Sequence, residues 1–390
     1  MFKSGNERQK QIYDHMFQRE TRRYPVSFED WEKEARLTLE DGPFDYVAGG
    51  AGAEQTVHAN RRSFEKWHIV PKMLRDVSYR DISVSLFNET LQVPFMLAPI
   101  GVQSILHPEG DTATAKAASR LNVPFVTSTL SSNSMEAVAA VSKNSPKWFQ
   151  LYWNEDHDIN VSLVKRAEKA GYSAIVVTLD TTLVAWRERD LSNAYLPFLL
   201  GEGLGNYLSD PAFRARLDHA PEENMEEAVQ EWLRIFGDTS VTWKDVAALR
   251  EETHLPILVK GILDVEDAEK AVQTGVDGII VSNHGGRQVD GAVAAIDALP
   301  GIAETVPEKM PVLMDSGIRR GSDVLKAISL GADAVLIGRP FVYGLAAGGE
   351  GGVDQVIRNL IADIDLTLAL SGRTSIDGLD RSLLYGYQNI

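Results

Sequence analysis

The chain has 390 residues, of which 44% are apolar and 24% charged, with a formal net charge of −16 and no cysteine. That apolar content supports a large buried core and argues against disorder, while the missing thiols exclude disulfides, thiolate metal sites and thiol nucleophiles. The acidic balance speaks against nucleic acid and anionic membranes as partners, and any site for an organic acid must then build its own positive field.

Met1 to Arg23 is charged and polar and lacks the apolar stretch of a secretion signal. No run of about 18 apolar residues follows anywhere, so no membrane span is expected and the expected setting is cytoplasmic. Residues 1–92 read as an N-terminal helical extension. Ser27 is placed to cap a helix, with Asp30 three residues on. Phe44 to Gly52 ends a helix in glycines.

From residue 93 short apolar runs alternate with helical stretches. The runs are Val93–Ala98, Pro124–Thr129, Trp148–Trp153, Ala174–Asp180, Pro256–Gly261, Gly278–His284, Pro311–Gly317 and Ala334–Pro340. Continuous apolar runs mark strands covered on both faces, hence a parallel sheet. Eight such units predict an α/β protein, a closed (β/α)8 TIM barrel over residues 93–370, with a tail at 371–390 and the whole of 1–390 as one domain. Amphipathic helices are predicted at Asp156–Ala170 and Val265–Thr274.

One connection breaks the rhythm. Residues 181–240 intervene after the fourth run, with an acidic helical piece at Glu222–Trp232. A stretch of that length reads as a lid. Its five arginines against eleven acidic residues leave a net −6, which argues against a membrane-binding insertion.

Barrels carry their chemistry at the C-terminal ends of the strands. Polar residues collect there: Gln150 and Tyr152, Thr178 and Asp180 followed by Arg187, Lys260, then Ser282 to Arg287, Asp315 with Gly317 and Arg319, and Gly338 with Arg339. A single strand-end Asp is commonly a helix cap, and a single His commonly structural. The recurrence of one polar, basic set at nearly every strand end points to a site instead. Arg187 and Arg287 suit a carboxylate. His284 can take a proton near neutral pH, oriented by Asp180. Lys260 offers a fixed positive charge beside an electron sink. Gly317, Arg319, Gly338 and Arg339 occupy the usual phosphate position of a barrel. A phosphate-bearing cofactor, a carboxylate substrate and a proton abstraction follow. The histidines show no metal spacing, so no metal is expected, and Gly344–Gly352 lacks the βαβ start of a dinucleotide site.

The run Ser282-Asn283-His284-Gly285-Gly286-Arg287-Gln288 resembles the active-site signature of the FMN-dependent L-2-hydroxy acid oxidases and dehydrogenases. Further matches, among them His107 to Gly110, Phe149 to Tyr152, Leu258 to Gly261 and Asp315 to Gly321, carry the resemblance over about residues 26–385. It implies FMN as cofactor. Ala98, Pro99 and Gly101 would line the flavin, and Ser128, Gln150 and Thr178 would bond its ring. Lys260 would face its N1–O2 edge. Ser282 and Asp315 would hold the ribityl chain, and Gly317, Arg319, Gly338 and Arg339 the phosphate. Tyr46, Tyr152, Arg187, Tyr207, His284 and Arg287 would contact the substrate, with His284, Asp180, Tyr152, Tyr46 and Lys260 catalytic.

Within the family the insertion is similar to that of the lactate 2-monooxygenases in Trp186 to Asp190, Pro197 to Leu199 and Asn206 to Pro211. The resemblance implies L-lactate and O2 as substrates and acetate, CO2 and water as products. The alternative is a 2-hydroxy acid oxidase that releases pyruvate and hydrogen peroxide. A quinone- or cytochrome-linked dehydrogenase fits less well, because the insertion is acidic and no haem domain is present. A flavin-binding protein without catalysis would have lost His284 or an arginine of the pair. By analogy with the family, a homotetramer or octamer is expected.

Overall fold

The computed structural model describes residues 5–18, 24–143 and 145–386. Parts of the polar N-terminus (1–4 and 19–23) and the end of the tail (387–390) lie outside the described residues.

Eight parallel strands close into a barrel in sequential order. We number them β1 (Phe95–Leu97), β2 (Phe125–Ser128), β3 (Lys147–Tyr152), β4 (Ala174–Thr178), β5 (Ile257–Ile262), β6 (Gly278–Val281), β7 (Val312–Met314) and β8 (Ala334–Ile337). The (β/α)8 expectation is borne out, each strand lying within or beside one of the eight apolar runs. The strands are buried on both faces. Met96, Val126, Trp148, Val176, Leu258, Ile280, Leu313 and Leu336 fill the barrel interior. A larger apolar layer separates the strands from the surrounding helices.

Local signals explain the helices. Asp156 caps His157–Lys169 by accepting from Asp158 N at 2.9 Å and Ile159 N at 3.3 Å. Ile159, Leu163, Val164 and Ala167 then form its buried stripe. Val265–Thr274 has the bounds its periodicity predicts. Ser27 caps Phe28–Thr38, its Oγ accepting from Asp30 N at 3.1 Å.

The N-terminal region is not wholly helical. A hairpin, Val84–Leu86 with Glu89–Leu91, packs Leu86 and Leu91 onto the barrel interior, and Phe87 lies 5.8 Å from Trp148. It closes the N-terminal end of the barrel. Trp67–Ile69 pairs antiparallel with Leu384–Gly386, tying the N-terminal extension to the tail.

The insertion after β4 is a packed unit. It forms short helical pieces at Glu188–Ser192, Pro197–Leu200, Gly205–Leu208 and Pro211–Arg214, then a helix at Met225–Ile235. The acidic face of that last helix is solvated as its charge implies, but Ala228, Val229, Trp232 and Ile235 form a buried face. The insertion is also stitched to the barrel. Asn206 Nδ2 donates to the carbonyls of Ser128 and Thr129, and its Oδ1 accepts from Met135 N at 2.7 Å. A Cβ on Gly203 would lie 2.9 Å from Val102 Cγ2, and one on Gly205 2.5 Å from Ser132 O. This backbone-to-backbone seam leaves no room for side chains. The stem before it carries exposed Leu183, Val184 and Trp186. Among the described residues no helix is long and apolar enough to cross a membrane.

Candidate active site

Strand register assembles the site. Tyr152 pairs with Thr178 and Thr178 with Lys260, so the last residues of β3 and β4 stand on one level with Lys260 near the end of β5. Gly261 follows in a bulge at φ 109°, where a Cβ would meet Asp180 Cβ at 2.8 Å. Its lack of a side chain lets Asp180 lie against β5.

After β6 the backbone turns sharply, and His284 adopts a left-handed φ of 58°. Such a conformation persists only where its surroundings fix it. Ser282 Oγ accepts from His284 N at 3.0 Å, Ser316 Oγ accepts from Gly285 N at 2.9 Å and Asn283 Oδ1 accepts from Gly286 N at 3.1 Å. The imidazole Nδ1 then lies 2.8 Å from Asp180 Oδ1, and Nε2 lies 3.4 Å from the Tyr152 hydroxyl.

The charges divide the labour of this pair. Burial alone would raise the Asp180 carboxyl, but His284 and Lys260 hold it below its ordinary range. Burial lowers the His284 imidazole, helped by Lys260 and Arg187, and Asp180 restores only part of the loss. The result is a neutral ring on an ionised carboxylate, the arrangement of a base ready to accept a proton. Lys260 is buried but stays charged. Its Nζ lies 3.1 Å from Asp315 Oδ2 and donates to Ser282 Oγ at 2.9 Å, and the two carboxylates Asp315 and Asp180 outweigh desolvation.

A cavity of about 1100 Å3, counting its open mouth, runs from this pair to the ends of β7 and β8. At one end Arg187 and Arg287 meet Tyr46, Tyr152, Leu130, Phe198 and Phe236. Burial and the charge of Arg187 push Arg287 down to about 9. Its Nη1 donates to the carbonyls of Tyr46 and Gly49, and its guanidinium lies 5.1 Å from the Tyr46 ring. At the other end are Gly317, Gly338, Arg319 and Arg339. Burial, with Arg339 and Arg61 nearby, pushes Arg319 down to about 9, and its Nε is buried without a hydrogen-bond partner. Buried cations that depress one another lack an anion. A phosphate meets that need. Arg339 is partly committed already, donating to the carbonyls of Val47, Gly285 and Gly49.

Most residues picked from the sequence meet at this cavity: Tyr46, Ala98, Pro99, Gly101, Ser128, Tyr152, Arg187, Lys260, His284, Arg287, Asp315, Gly317, Arg319, Gly338 and Arg339 all line it. Gln150, Thr178, Ser282 and Asp180 stand one layer behind. Gln150 accepts from Ser128 Oγ at 3.1 Å and donates to Thr178 Oγ1 at 3.0 Å. Tyr207 is a correction. It is fully buried between Phe213 and Trp232 and its hydroxyl donates to Asn154 Oδ1 at 2.7 Å, so it is a core residue of the insertion and does not line this cavity. Sequence reasoning passed over Thr181 and Ser316. Thr181 Oγ1 lies 3.0 Å from Asp180 Oδ1 and 3.2 Å from His284 Nδ1, and Ser316 buttresses the His284 turn. Their only signal was adjacency to Asp180 and Asp315.

A family model for FMN-dependent dehydrogenases matches residues 35–386. An L-lactate oxidase of Lysinibacillus sphaericus is 47% identical over 356 residues, spanning 91% of this chain and 92% of the relative. A peroxisomal (S)-2-hydroxyacid oxidase of Arabidopsis thaliana is 42% identical over 357 residues, 92% of this chain and 95% of the other. The crystal structure of a mandelate oxidase superposes with a TM-score of 0.81 at 41% identity, covering 93% of this chain and 98% of that one.

Proposed function

The chain belongs to the FMN-dependent dehydrogenase family, and we propose that within it the protein is an oxidase of small L-2-hydroxy acids, L-lactate first among them, that releases the 2-keto acid and hydrogen peroxide. The observation that carries this reading is the neutral His284 on an ionised Asp180 in a cavity shared with Arg187 and Arg287.

FMN is the cofactor of the family, and when bound it supplies the two-electron acceptor. The unpartnered Arg319 Nε and the crowded guanidiniums fit its phosphate. Arg319 and Arg339, with Gly317 and Gly338, would hold that group. Asp315 and Ser282 would hold the ribityl chain. Lys260, Ala98, Pro99, Gly101, Ser128, Gln150 and Thr178 would surround the ring, Lys260 with the positive charge that favours its reduced, anionic form.

The rest is the work of the chain. Arg187 and Arg287 bind the substrate carboxylate. Tyr46 and Tyr152 contact the substrate oxygens, and Phe198, Phe236 and Leu130 take an apolar side chain and exclude water. His284 Nε2 accepts the proton, and Asp180 stabilises the imidazolium so formed. Since only the neutral ring is a base, activity is lost as pH falls through the His284 pKa. That pKa lies below the ordinary 6.5. The acid limb of kcat/KM is therefore expected below pH 6.5, with a plateau through neutral pH. A limb centred above pH 7 would contradict this electrostatic reading.

A second reading, the lactate 2-monooxygenase, is favoured by one feature. The insertion stands over the cavity and is stitched down at Asn206 and the Gly203–Gly205 seam. A wall of that kind holds pyruvate beside the peroxide formed with it, and peroxide attack on the keto acid gives acetate, CO2 and water. The oxidase reading is preferred because the lactate enzyme compared above is an oxidase. Product analysis of aerobic L-lactate turnover decides between them. We expect pyruvate with stoichiometric peroxide; acetate with little peroxide would replace the oxidase by the monooxygenase.

A further inference from the structure

Gln288 follows Arg287 directly, and its amide uses three hydrogen bonds to hold the start of the insertion. Nε2 donates to Asp180 O at 2.6 Å and to Leu183 O at 3.2 Å, while Oε1 accepts from Arg187 Nη2 at 3.0 Å. The two ends of the amide are not interchangeable here. A guanidinium has no acceptor and a carbonyl has no donor, so one partner set needs the oxygen and the other needs the NH2. Among residues of this length only glutamine offers both. Glutamate would set a carboxylate against two carbonyl oxygens, and asparagine is one methylene short.

Arg187 depends on this contact. Its Nε donates to Arg287 O at 3.2 Å, and its nearest carboxylate, Asp190 Oδ2, is 3.8 Å away, too far for a good hydrogen bond. The Gln288 bond is thus the side-chain contact that fixes how the guanidinium fork is turned at the cavity wall. The remaining two bonds hold the stem, Asp180 to Arg187, where Leu183 and Trp186 are exposed and the glycine seam does not reach. We propose that Gln288 is a positioning residue that sets Arg187 for the substrate carboxylate and pins the stem of the insertion to the His284 loop. The inference rests on the proposed reading of Arg187 as a carboxylate ligand.

A double-mutant cycle tests it, with KM for L-lactate and the dissociation constant of oxalate, read from the flavin spectrum of the holoenzyme. Arg187→Met alone should raise both values; if it does not, the reading of Arg187 fails, whatever Gln288 does. Gln288→Met should raise both about tenfold with kcat within about threefold, because a misplaced guanidinium weakens binding more than proton transfer. In the Arg187→Met background the same change should raise them by less than about twofold, since partners in one network are not additive. A full tenfold rise in both backgrounds, or none in either, overturns the proposal. Should Gln288→Met not accumulate as a folded yellow protein, Gln288→Glu serves the same cycle. Its carboxylate pairs with Arg187 and withdraws the charge from substrate, so its KM rise should likewise vanish without Arg187.

Discussion

Replacing His284 by Gln is expected to slow anaerobic reduction of the bound flavin by L-lactate about a thousandfold while the protein stays yellow. A positioned general base contributes roughly 10²–10⁴ to a rate. Glutamine keeps the bulk of the ring and a donor toward Asp180 but cannot take the proton. The backbone turn survives, because Ser282, Asn283 and Ser316 hold it through main-chain amides. Arg339 bonds the backbone of this loop, at Gly285 O, and not the imidazole, so cofactor content should match the parent. Stopped-flow absorbance with a cofactor assay gives both numbers. Fast reduction would remove His284 from the role of base. Slow reduction with a colourless protein would make it a support of the cofactor site.

The second large effect concerns stability. Trp232→Ala should cost about 3–5 kcal/mol, the usual cost of deleting a fully buried indole. Trp232 packs 4.8 Å from the Phe198 ring and 4.7 Å from the Phe236 ring, and both of those line the cavity. The loss should therefore surface at the site as well. Hydrogen exchange over residues 198–236 should quicken and KM for L-lactate should rise, with β1 to β8 still protected. Unchanged exchange in that segment would show that the insertion does not depend on its own core.

The barrel was legible because each strand is a short, unbroken apolar run, and a pattern without alternation admits few folds. The runs overshot where loops begin: Gly278–His284 reads as one strand, but β6 stops at Val281 and His284 sits in a left-handed turn. Strand ends were legible as a site because closing the barrel brings them together whatever their spacing in sequence. The hairpin at the barrel floor was not. Its strands are three residues each, and its turn, Phe87-Asn88 with φ of 49° and 65°, lacks the Asn-Gly pair that announces such a turn. Tyr207 misled for a related reason. Nothing periodic orients a side chain inside a four-residue helix, so a tyrosine near the site in sequence and one that enters it look alike. Gln288 stands in the signature run, but nothing there shows what it holds. Its bonds exist only once the loop after β6 and the stem after β4 are folded side by side.

The hairpin floor has a kinetic meaning. Leu86 and Leu91 fill the far end of the barrel, so the chamber opens toward the strand ends and the insertion. On the proposed reading, hydroxy acid enters and keto acid leaves past that rim. On that reading the time the keto acid spends behind the rim sets whether it is released intact or decarboxylated by peroxide.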